Sequence, residues 1–431
     1  MSKKIVLFTY YWPPSAGPGV QRWLKFCKFL GQMDYDITVI TPENPSASNF
    51  DASLENEIPN ELRLIKTKSF EPFEIYKILK GNKRKENIGV GGIGLFDNPS
   101  FKQRTFNYIR ANYFIPDARK GWNSYALKAA SEILKSEKFD AIITTGPPQS
   151  THLIGYKLKK KFNIPWLADF RDPWVNVFYN KLFPRTASSI QKDQALEDLV
   201  LKNADTTLVV SPGLKAEFED RAKNIEVIYN GFDAQDLPEA SKTKNEKFTL
   251  SYIGNFKPNQ NCKMLWKAIS NFIETKEDLC FKLNLVGNVD PLVKNSIAEF
   301  GLDEYVHFEP YKPHKEATLE MVNSDGLLFI IPQTADNDLI LTGKLFEYLA
   351  SGTPFLSVGP INGNAAEIIE KSDRGFMYSY ENGQAIGTRI KNLYENWERS
   401  KENIKLSREK VNRYSRQGMT ELLAKTLEKQ L

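Results

Sequence analysis

Short runs of apolar and β-branched residues recur along the chain, and each is followed by a stretch whose apolar residues have helical spacing. Runs that are apolar throughout, rather than alternating, indicate strands buried on both faces of a parallel sheet. The predicted strands of the first half are Ile5–Thr9, Ile37–Thr41, Leu62–Lys66, Ala141–Thr145, Trp166–Asp169, Thr207–Val210 and Val227–Tyr229. Those of the second half are Leu250–Ile253, Lys282–Val286, Val306–Phe308, Leu327–Ile331, Phe355–Val358 and Phe376–Tyr378. Two such series predict an α/β protein with two Rossmann-like domains.

The break between the two series is a polar stretch that follows a turn signal, Asn230-Gly231-Phe232-Asp233. The residues after this turn are rich in charge and include Pro238, which is typical of a linker. The tail is rich in Lys, Arg and Glu, with apolar residues at helical spacing. We therefore predict an N-terminal domain over residues 1–238, a linker over 239–247, a C-terminal domain over 248–405 and a terminal helix over 406–431.

Composition narrows the class of protein. The chain has 431 residues and is 41% apolar, which is enough to bury two cores. Its cysteines, Cys27, Cys262 and Cys280, are far apart, which excludes a disulfide framework and indicates a reducing compartment. The longest apolar run, Gly326–Pro332, is too short to cross a bilayer. We expect a cytoplasmic protein that is soluble or, at most, attached to the inner face of the membrane.

The formal charge is +5, and the whole excess lies in residues 1–240, which hold 33 basic and 28 acidic side chains. Basic residues predominate between residues 101 and 192. The excess is too small for a nucleic-acid partner, but it suits a face near anionic lipid or an anionic acceptor. Ordinary solvated surface charge is an equally good explanation.

A turn rich in proline and glycine, Pro13–Gly19, follows the first predicted strand and precedes a helix. Gly17 and Gly19 allow a close approach of backbone to a ligand, and the helix start offers N–H groups to an anion. A dinucleotide fingerprint needs a third glycine where this chain has Arg22, so a NAD-type site is disfavoured. We predict Gly17 and Gly19 as donor-binding residues, with a purely structural tight turn as the alternative.

Polar residues also follow the fourth and fifth predicted strands, and ligands of open parallel sheets gather at the carboxyl ends of strands. We predict Asp172 as a catalytic group that accepts a hydroxyl proton, and Asp169 and Arg171 as acceptor-side residues. The alternative is an internal Arg–Asp pair that shapes the loop. His152 is the second predicted catalytic residue, as a base, and a buried structural histidine is its alternative.

The strongest candidate site is the segment Leu341–Pro354, where Thr342 can cap a helix that Gly352 ends. Lys344 and Glu347 are three residues apart and therefore share one face of the first turn. A carboxylate there can accept both hydroxyls of a ribose, and an ammonium group can hold a diphosphate. A solvent-exposed Lys–Glu pair is the alternative. The predicted donor-binding residues of this segment are Thr342, Gly343, Lys344, Leu345 and Glu347.

These residues carry a resemblance to a known family. The order of strand, loop, G-K-L-x-E-Y-L-A-x-G-x-P, strand, Gly363–Glu367 and Gly375-Phe376 resembles the donor half of retaining GT-B glycosyltransferases of the family-4 type. Members of this type act in polysaccharide and lipid-linked glycan assembly. The P-P-x-x-G-x-G turn, the A-D-F-R-D-P-W segment and the Asn-Gly-Phe-Asp junction are similar to that family's acceptor half and hinge.

The resemblance implies two Rossmann-like domains facing each other across a cleft, with the C-terminal domain binding the nucleotide sugar. It implies transfer with retention of the anomeric configuration to a glycan or lipid-linked acceptor. It also implies that no metal and no cofactor are required, and that the last helix returns toward the N-terminal domain.

The chain departs from the family pattern at two places. The family often has a basic pair in G-R-x-x-x-x-K on the loop after the first C-terminal strand, where this chain has Gly254, Asn255 and Gln260. We predict Gly254 and Lys257 as donor-binding residues of this loop, with Lys257 as the substitute cation. The family also has a glutamate eight residues before Glu347, and this chain has Leu339 there, beside Asp338.

Three other functions stay open. A GT-A glycosyltransferase uses a D-x-D metal motif, and Asp336-Asn337-Asp338 has that form, although two sheet series argue against the GT-A fold. A nucleotide-sugar 2-epimerase shares the GT-B architecture and releases free sugar epimers. A catalytically inactive nucleotide-sugar-binding module is compatible with the neutral side chains of Asn255 and Gln260.

Overall fold

The computed structural model describes residues 2–47, 49–70, 101–239, 243–275 and 279–431. The chain forms two compact units. The first comprises residues 1–230 together with 419–431, and the second comprises residues 231–418. Each unit contains one parallel β-sheet, so the prediction of two Rossmann-like domains is confirmed.

The sheet of the first unit has seven parallel strands in the order β3-β2-β1-β4-β5-β6-β7. Alternate residues of the first strand enter two different cores: Ile5 and Leu7 pack on one side of the sheet, and Val6 and Phe8 on the other. Burial on both faces explains why the strand is apolar throughout. The strands are β1 (Lys3–Phe8), β2 (Tyr35–Pro42), β3 (Arg63–Thr67), β4 (Ala141–Gly146), β5 (Trp166–Phe170), β6 (Thr206–Val209) and β7 (Ile225–Val227).

The sheet of the second unit has six parallel strands in the order β10-β9-β8-β11-β12-β13. They are β8 (Phe248–Ile253), β9 (Phe281–Val286), β10 (Val306–Glu309), β11 (Gly326–Ile330), β12 (Phe355–Val358) and β13 (Met377–Tyr378). Every predicted strand is present in the two sheets, and the predicted ends differ from the observed ones by two residues at most.

Helices connect the strands, as parallel pairing requires. In the first half of the chain the helices are α1 (Pro18–Gly31), α2 (Phe101–Tyr113), α3 (Asn123–Ser136), α4 (His152–Phe162), α5 (Ala187–Asn203) and α6 (Pro212–Phe218). In the second half they are α7 (Lys263–Ile273), α8 (Pro291–Glu299), α9 (His314–Asn323), α10 (Gly343–Ser351), α11 (Asn364–Lys371), α12 (Gly383–Arg399) and α13 (Arg416–Glu428). No helix among these described residues is both long and apolar enough to span a bilayer.

The strand order reverses between β1 and β4 in the first sheet and between β8 and β11 in the second. Loops that leave neighbouring strands at such a point diverge and open a crevice at the carboxyl edge of the sheet. The turn Pro13–Gly19 follows β1, and the loop that begins at Gly254 follows β8. The topology therefore places both predicted glycine loops at the switch point of their own sheet.

The second unit begins at Gly231, a few residues before the predicted linker. The Phe232 N–H donates to the Tyr414 carbonyl at 3.2 Å, and the Arg416 N–H donates to the Phe232 carbonyl at 2.7 Å. Gly231 has φ +64°, and a Cβ there would lie 2.6 Å from the Tyr414 carbonyl oxygen. These hydrogen bonds join residues 231–233 to the second unit. The polar composition of residues 239–247 does not indicate this earlier boundary.

The end of the chain completes the core of the first unit. The apolar side chains of the second half of α13 pack in the same cluster as Ile5 and Leu7 of β1. They are Met419, Leu423, Ala424 and Leu427. The terminal helix is therefore a structural part of the first unit.

We predict that Leu423→Ala destabilises the first unit by about 2–5 kcal/mol, because the side chain is fully buried and its loss leaves a cavity. Urea unfolding, with hydrogen exchange of β1 and α1 as the local readout, measures the effect. The control is Leu431→Ala, at a residue that is 47% exposed, which we expect to stay within about 0.5 kcal/mol of the parent chain. An unchanged unfolding midpoint for the Leu423 variant would contradict its place in this core.

Candidate functional site

The predicted donor segment begins helix α10 at the carboxyl edge of the second sheet. Thr342 occupies the N-cap position in an extended conformation, with φ −100° and ψ 152°. Its side chain makes no capping bond, and its Oγ1 atom is buried without a hydrogen-bond partner. Gly343 is exposed, and nothing lies within 4 Å of its Cβ position. The first turn of the helix therefore keeps backbone N–H groups available for a ligand.

Lys344 joins this helix to the loop after β8. Its Nζ atom donates a hydrogen bond to the Tyr252 hydroxyl at 2.9 Å. A Cβ at Gly254, which has φ +116°, would lie 2.5 Å from Lys344 Cε and 2.6 Å from Nζ. Only glycine adopts this backbone conformation freely and leaves room for the ammonium group. The structure thus brings together two of the predicted donor-binding residues, Lys344 and Gly254.

Burial lowers the pKa of Lys344 to about 8, although the nearby Glu347 acts in the opposite direction. The charge of Lys257 lowers the pKa of Lys344 further, so these two cations lie close enough to repel each other. Lys257 is exposed at the start of the short 3₁₀ turn Pro258–Gln260. Two partly unneutralised cations beside a helix start form an electrostatically favourable site for a diphosphate.

Glu347 faces a second group of charged residues. Its Oε1 atom lies 3.9 Å from Nδ1 of His314. Burial raises the pKa of Glu347, whereas His314, Arg416 and Lys344 lower it. Leu345, by contrast, is fully buried, so its side chain holds the helix in the core and only its backbone can serve a donor.

Sequence reasoning missed His314 and Tyr252. His314 begins α9 after a loop with two prolines, and it is one of only three histidines in the chain, which is the signal that could have identified it. Tyr252 lies in the buried strand β8, where the sequence does not distinguish a tyrosine that contacts the site from one that only packs in the core.

The two amides of the β8 loop have different roles. Gln260 is 7% exposed, and its Oε1 accepts bonds from the Tyr252 hydroxyl at 3.2 Å and the Lys257 N–H at 3.1 Å. Its Nε2 donates to the Ile330 carbonyl at 2.9 Å. Gln260 is therefore a structural tie between this loop and β11, and Asn255 is exposed. Asn255 and Gln260 stand where the family often has a basic pair, and Lys257 is the basic residue that lies between them in the loop.

The position of the missing first glutamate lies on a short 3₁₀ turn, Asn337–Leu339, after β11. Leu339 is 43% exposed, and the neighbouring Asp338 is exposed. Across the described residues no group of three His, Cys, Asp or Glu side chains is arranged to hold a metal ion. The D-x-D sequence at residues 336–338 follows β11 of the second sheet. Because the chain contains two parallel sheets, its fold is not the GT-A architecture.

The predicted acceptor-side arginine of the first unit ties three loops together. Arg171 Nε donates to the Gly146 carbonyl at 2.9 Å, and Nη2 donates to the Pro147 carbonyl at 2.7 Å. A Cβ at Gly19 would lie 1.0 Å from Arg171 Nη1. Gly19 is therefore required to make room for this guanidinium, which is a structural reason that the sequence prediction did not contain. Gly17, with φ +135°, is the N-cap of α1 and has nothing within 4 Å of its Cβ position.

Asp169 is completely buried and satisfied by protein groups. It accepts bonds from Arg22 Nη2 at 2.9 Å, from the Trp23 indole at 2.7 Å and from the Thr145 hydroxyl at 2.8 Å. Burial opposes its charge, but Arg22, Arg171 and Trp23 together outweigh burial and hold the pKa of Asp169 below its usual value. These contacts give Asp169 a structural role of the kind weighed as the alternative, and its acceptor-side role stays a prediction.

The two predicted catalytic residues differ in accessibility. His152 is completely buried, stacks on Phe170 with ring centres 4.3 Å apart, and has its Nδ1 atom 2.9 Å from the Thr144 hydroxyl oxygen. Burial lowers the pKa of His152 to about 3, so the ring is neutral at pH 7. Asp172 is exposed, and desolvation raises its pKa while Arg171 lowers it. Of the two, Asp172 is the one that a substrate can reach in this structure.

Two family models match separate parts of this chain. Residues 247–396 match the family described as "Glycosyl transferases group 1", and residues 91–236 match "Glycosyltransferase Family 4". A search of curated proteins finds no match.

Similar solved structures extend over the whole chain. Sucrose-phosphate synthase from Thermosynechococcus elongatus has 14% identity and a TM-score of 0.60, with 99% of this chain and 98% of that chain covered. A glycosyltransferase from Rickettsia africae has 15% identity and a TM-score of 0.60, with 100% and 98% covered. HepE of Anabaena, in complex with UDP, has 14% identity and a TM-score of 0.56, with 99% and 100% covered. At these identities the likeness shows a shared fold.

We predict that Asp169→Asn destabilises the first unit by about 3–5 kcal/mol, because it leaves the buried Arg22 without its counter-charge. Urea unfolding followed by circular dichroism measures the change. Asp36→Asn is the matched control, since Asp36 forms only an exposed ion pair with Lys4 at 3.7 Å, and we expect a change of about 0–1 kcal/mol there. Equal unfolding midpoints in the two variants would show that the buried pair does not stabilise the fold.

Proposed function

This chain is a glycosyltransferase with the GT-B fold, and we propose that it transfers a sugar from a nucleotide-diphosphate sugar to a glycan, lipid-linked or surface-polysaccharide acceptor. We further propose that the transfer retains the anomeric configuration and needs no metal ion. The observation that carries the proposal is the pairing of Lys344 and Glu347 on the first turn of α10, at the carboxyl edge of the second sheet.

Lys344 suits the diphosphate of the donor. Its ammonium has three hydrogen-bond donors, and the described contacts give one of them to the Tyr252 hydroxyl. Because burial disfavours its charge, an incoming anion restores favourable electrostatics at this position. The N–H groups of the first turn of α10 and the ammonium of Lys257 add to the same field.

Glu347 suits the ribose. Its carboxylate can accept two hydrogen bonds from vicinal hydroxyls, one to each oxygen. Solved structures of the similar HepE hold UDP and UDP-glucose, which supports a nucleotide sugar as the donor of this chain. The match of residues 247–396 to the group 1 glycosyltransferases covers all of α10 and gives the same support.

For the acceptor step we infer that Asp172, rather than His152, takes the hydroxyl proton. Asp172 is exposed, and desolvation raises its pKa toward the range in which a carboxylate acts as a base. His152 is enclosed and neutral, so it supports Phe170 and Thr144 from within the core. The basic excess between residues 101 and 192 favours an acceptor that is anionic or lies at an anionic membrane surface.

A donor panel tests the function directly. We expect nucleoside diphosphate sugars of one base to raise the melting temperature, because a ligand that binds only the folded state stabilises it by mass action. Incubation of that donor with the protein in EDTA should then give nucleoside diphosphate and transferred or hydrolysed sugar. Release of a free C2 epimer would indicate a 2-epimerase, and binding without turnover would indicate a binding module.

We predict that Glu347→Ala lowers the affinity for UDP by about 100-fold or more, because two charge-assisted hydrogen bonds contribute ~1.5–3 kcal/mol each. Isothermal titration measures the affinity, and thermal unfolding should show that the variant remains folded. Glu316→Ala, at an exposed residue of α9 in the same unit, is the control with unchanged affinity. Wild-type affinity in the Glu347 variant would remove this assignment.

We also predict that UDP affinity falls as the pH rises from 7 to 9.5. Since burial holds the pKa of Lys344 at about 8, the free protein loses the binding charge above that pH. At pH 9.5 the loss is at most about 30-fold, from the linkage of proton and ligand binding. In Lys344→Arg the charge persists across this range, so the profile should flatten. A Lys344→Arg profile as steep as that of the parent would show that another group titrates.

A further inference from the structure

The first unit contains a cavity of about 110 Å³ that the donor site does not use. It lies where α2 ends and where the loops after β4 and β5 meet. Apolar and cationic side chains line it together, among them Arg110, Phe114, Arg119, Pro148, Trp174 and Arg185. A volume of this size holds several water-sized groups, which is enough for a phosphate.

The segments around this cavity are strongly basic. Residues 104–120 and 181–193 contain seven Lys or Arg residues and two acids, Asp117 and Asp193. Asn112 holds the two segments together, because its side chain donates to the Pro184 carbonyl at 2.9 Å and accepts from the Thr186 N–H at 2.7 Å. This arrangement concentrates positive charge on one part of the first unit.

Of the two acids that line the cavity, Asp193 pairs with Arg185, whereas Asp117 is engaged by Ser150. The Asp117 carboxylate accepts from the Ser150 N–H and from the Ser150 hydroxyl, both at 2.8 Å. Lys120, which follows the lining residue Arg119 in the chain, is repelled by Lys192. Burial lowers the pKa of Lys120 and the charge of Lys192 lowers it further, while Asp117 acts in the opposite direction. An anion that enters here relieves this repulsion.

The three lining arginines are not equivalent. Arg185 is paired with Asp193, and the guanidinium of Arg110 lies 4.9 Å from the ring centre of Phe183. Arg119 Nη2 donates a long bond of 3.4 Å to the Ser46 carbonyl, and the Arg119 side chain also hydrogen-bonds to the Tyr11 side chain. Its Nε atom, however, is buried with no hydrogen-bond partner. A buried donor without a partner is costly unless a ligand or water satisfies it.

Exposed apolar side chains stand on the same two segments. On α2 they are Tyr108, Ile109 and Tyr113, which are 44%, 44% and 69% exposed. On the second segment they are Leu182 and Ile190, at 53% and 42%. Basic and apolar groups side by side match a ligand that is itself amphiphilic, with one anionic end and one apolar end.

We propose that this cavity binds the phosphate of a lipid-linked acceptor, with Arg119 as the principal phosphate ligand and the apolar chain lying over Tyr113 and Leu182. The proposal rests on the proposed function and narrows its acceptor class to lipid phosphates. The aromatic wall at Phe114 and Trp174 provides an apolar side for the group next to the phosphate.

The test compares three probes on the full chain by isothermal titration: farnesyl phosphate, farnesol and inorganic phosphate. Farnesyl phosphate should bind at least about tenfold more tightly than either of the others, because only it offers both the anion and the apolar chain. Equal binding of farnesol and farnesyl phosphate would overturn the role of the phosphate. Equal binding of inorganic phosphate and farnesyl phosphate would overturn the role of the lipid.

Two variants locate the site. Arg119→Gln should weaken farnesyl phosphate binding by about tenfold or more, the usual effect of one charge-assisted hydrogen bond. Tyr113→Ser, at a residue that is 69% exposed and therefore safe for folding, should weaken farnesyl phosphate but not inorganic phosphate. Arg399→Gln in the second unit removes the same charge from a side chain that is 74% exposed, and should change neither. Parent-like binding of farnesyl phosphate in both the Arg119 and Tyr113 variants would overturn the proposal.

Two further experiments, vesicle binding and UDP titration, distinguish this proposal from membrane docking and from failure of the proposed function. Binding to phosphatidylglycerol vesicles that is unaffected by Arg119→Gln, without binding of farnesyl phosphate, would assign the surface to membrane docking and overturn the acceptor site. UDP titration of the parent chain reports on the proposed function by itself. Absent UDP binding with intact farnesyl phosphate binding would reject the donor proposal, whereas the reverse would reject only this cavity.

Discussion

The candidate site of the second unit depends on a lysine held against a glycine. Lys344 crosses the loop after β8 at the position where any other residue would carry a Cβ, and its Nζ atom reaches the Tyr252 hydroxyl. The ammonium is thereby partly removed from water but left with few neutralising partners. A charge in this state is destabilised while it has no ligand and is stabilised by an anion, so the local fold leaves it available for the diphosphate that we propose as its ligand.

The first unit contains a comparable contact with the opposite outcome. Arg171 lies against Gly19 in the loop after β1, just as Lys344 lies against Gly254. Its guanidinium, however, donates to the carbonyls of Gly146 and Pro147, and these hydrogen bonds connect the loop after β5 to the loop after β4. The number of protein acceptors around each cation, rather than its charge or its glycine, separates the structural contact from the candidate binding site.

Part of the candidate site could be predicted from the sequence, because its residues lie close together along the chain. A helix cap, a lysine and a glutamate three residues apart, and a closing glycine are all contained in the eleven consecutive residues from Thr342 to Gly352. The strands were equally predictable, since burial on both faces leaves an apolar run that needs no knowledge of the partner strand. Gln260 shows the limit: its spacing suggested a replaced phosphate ligand, yet its amide bonds to Tyr252 and Ile330 in the core.

The sequence by itself determined two parallel sheets, the helix that begins after Thr342 and the lysine and glutamate that share one face of it. Only the tertiary structure decided that Asp169 is fully paired with Arg22, that His152 is enclosed, and that His314 faces Glu347. These facts depend on residues far apart in the chain that meet at the edges of sheets. Periodicity reports how each residue relates to its own helix or strand, but the availability of a charged group is set by neighbours from other elements.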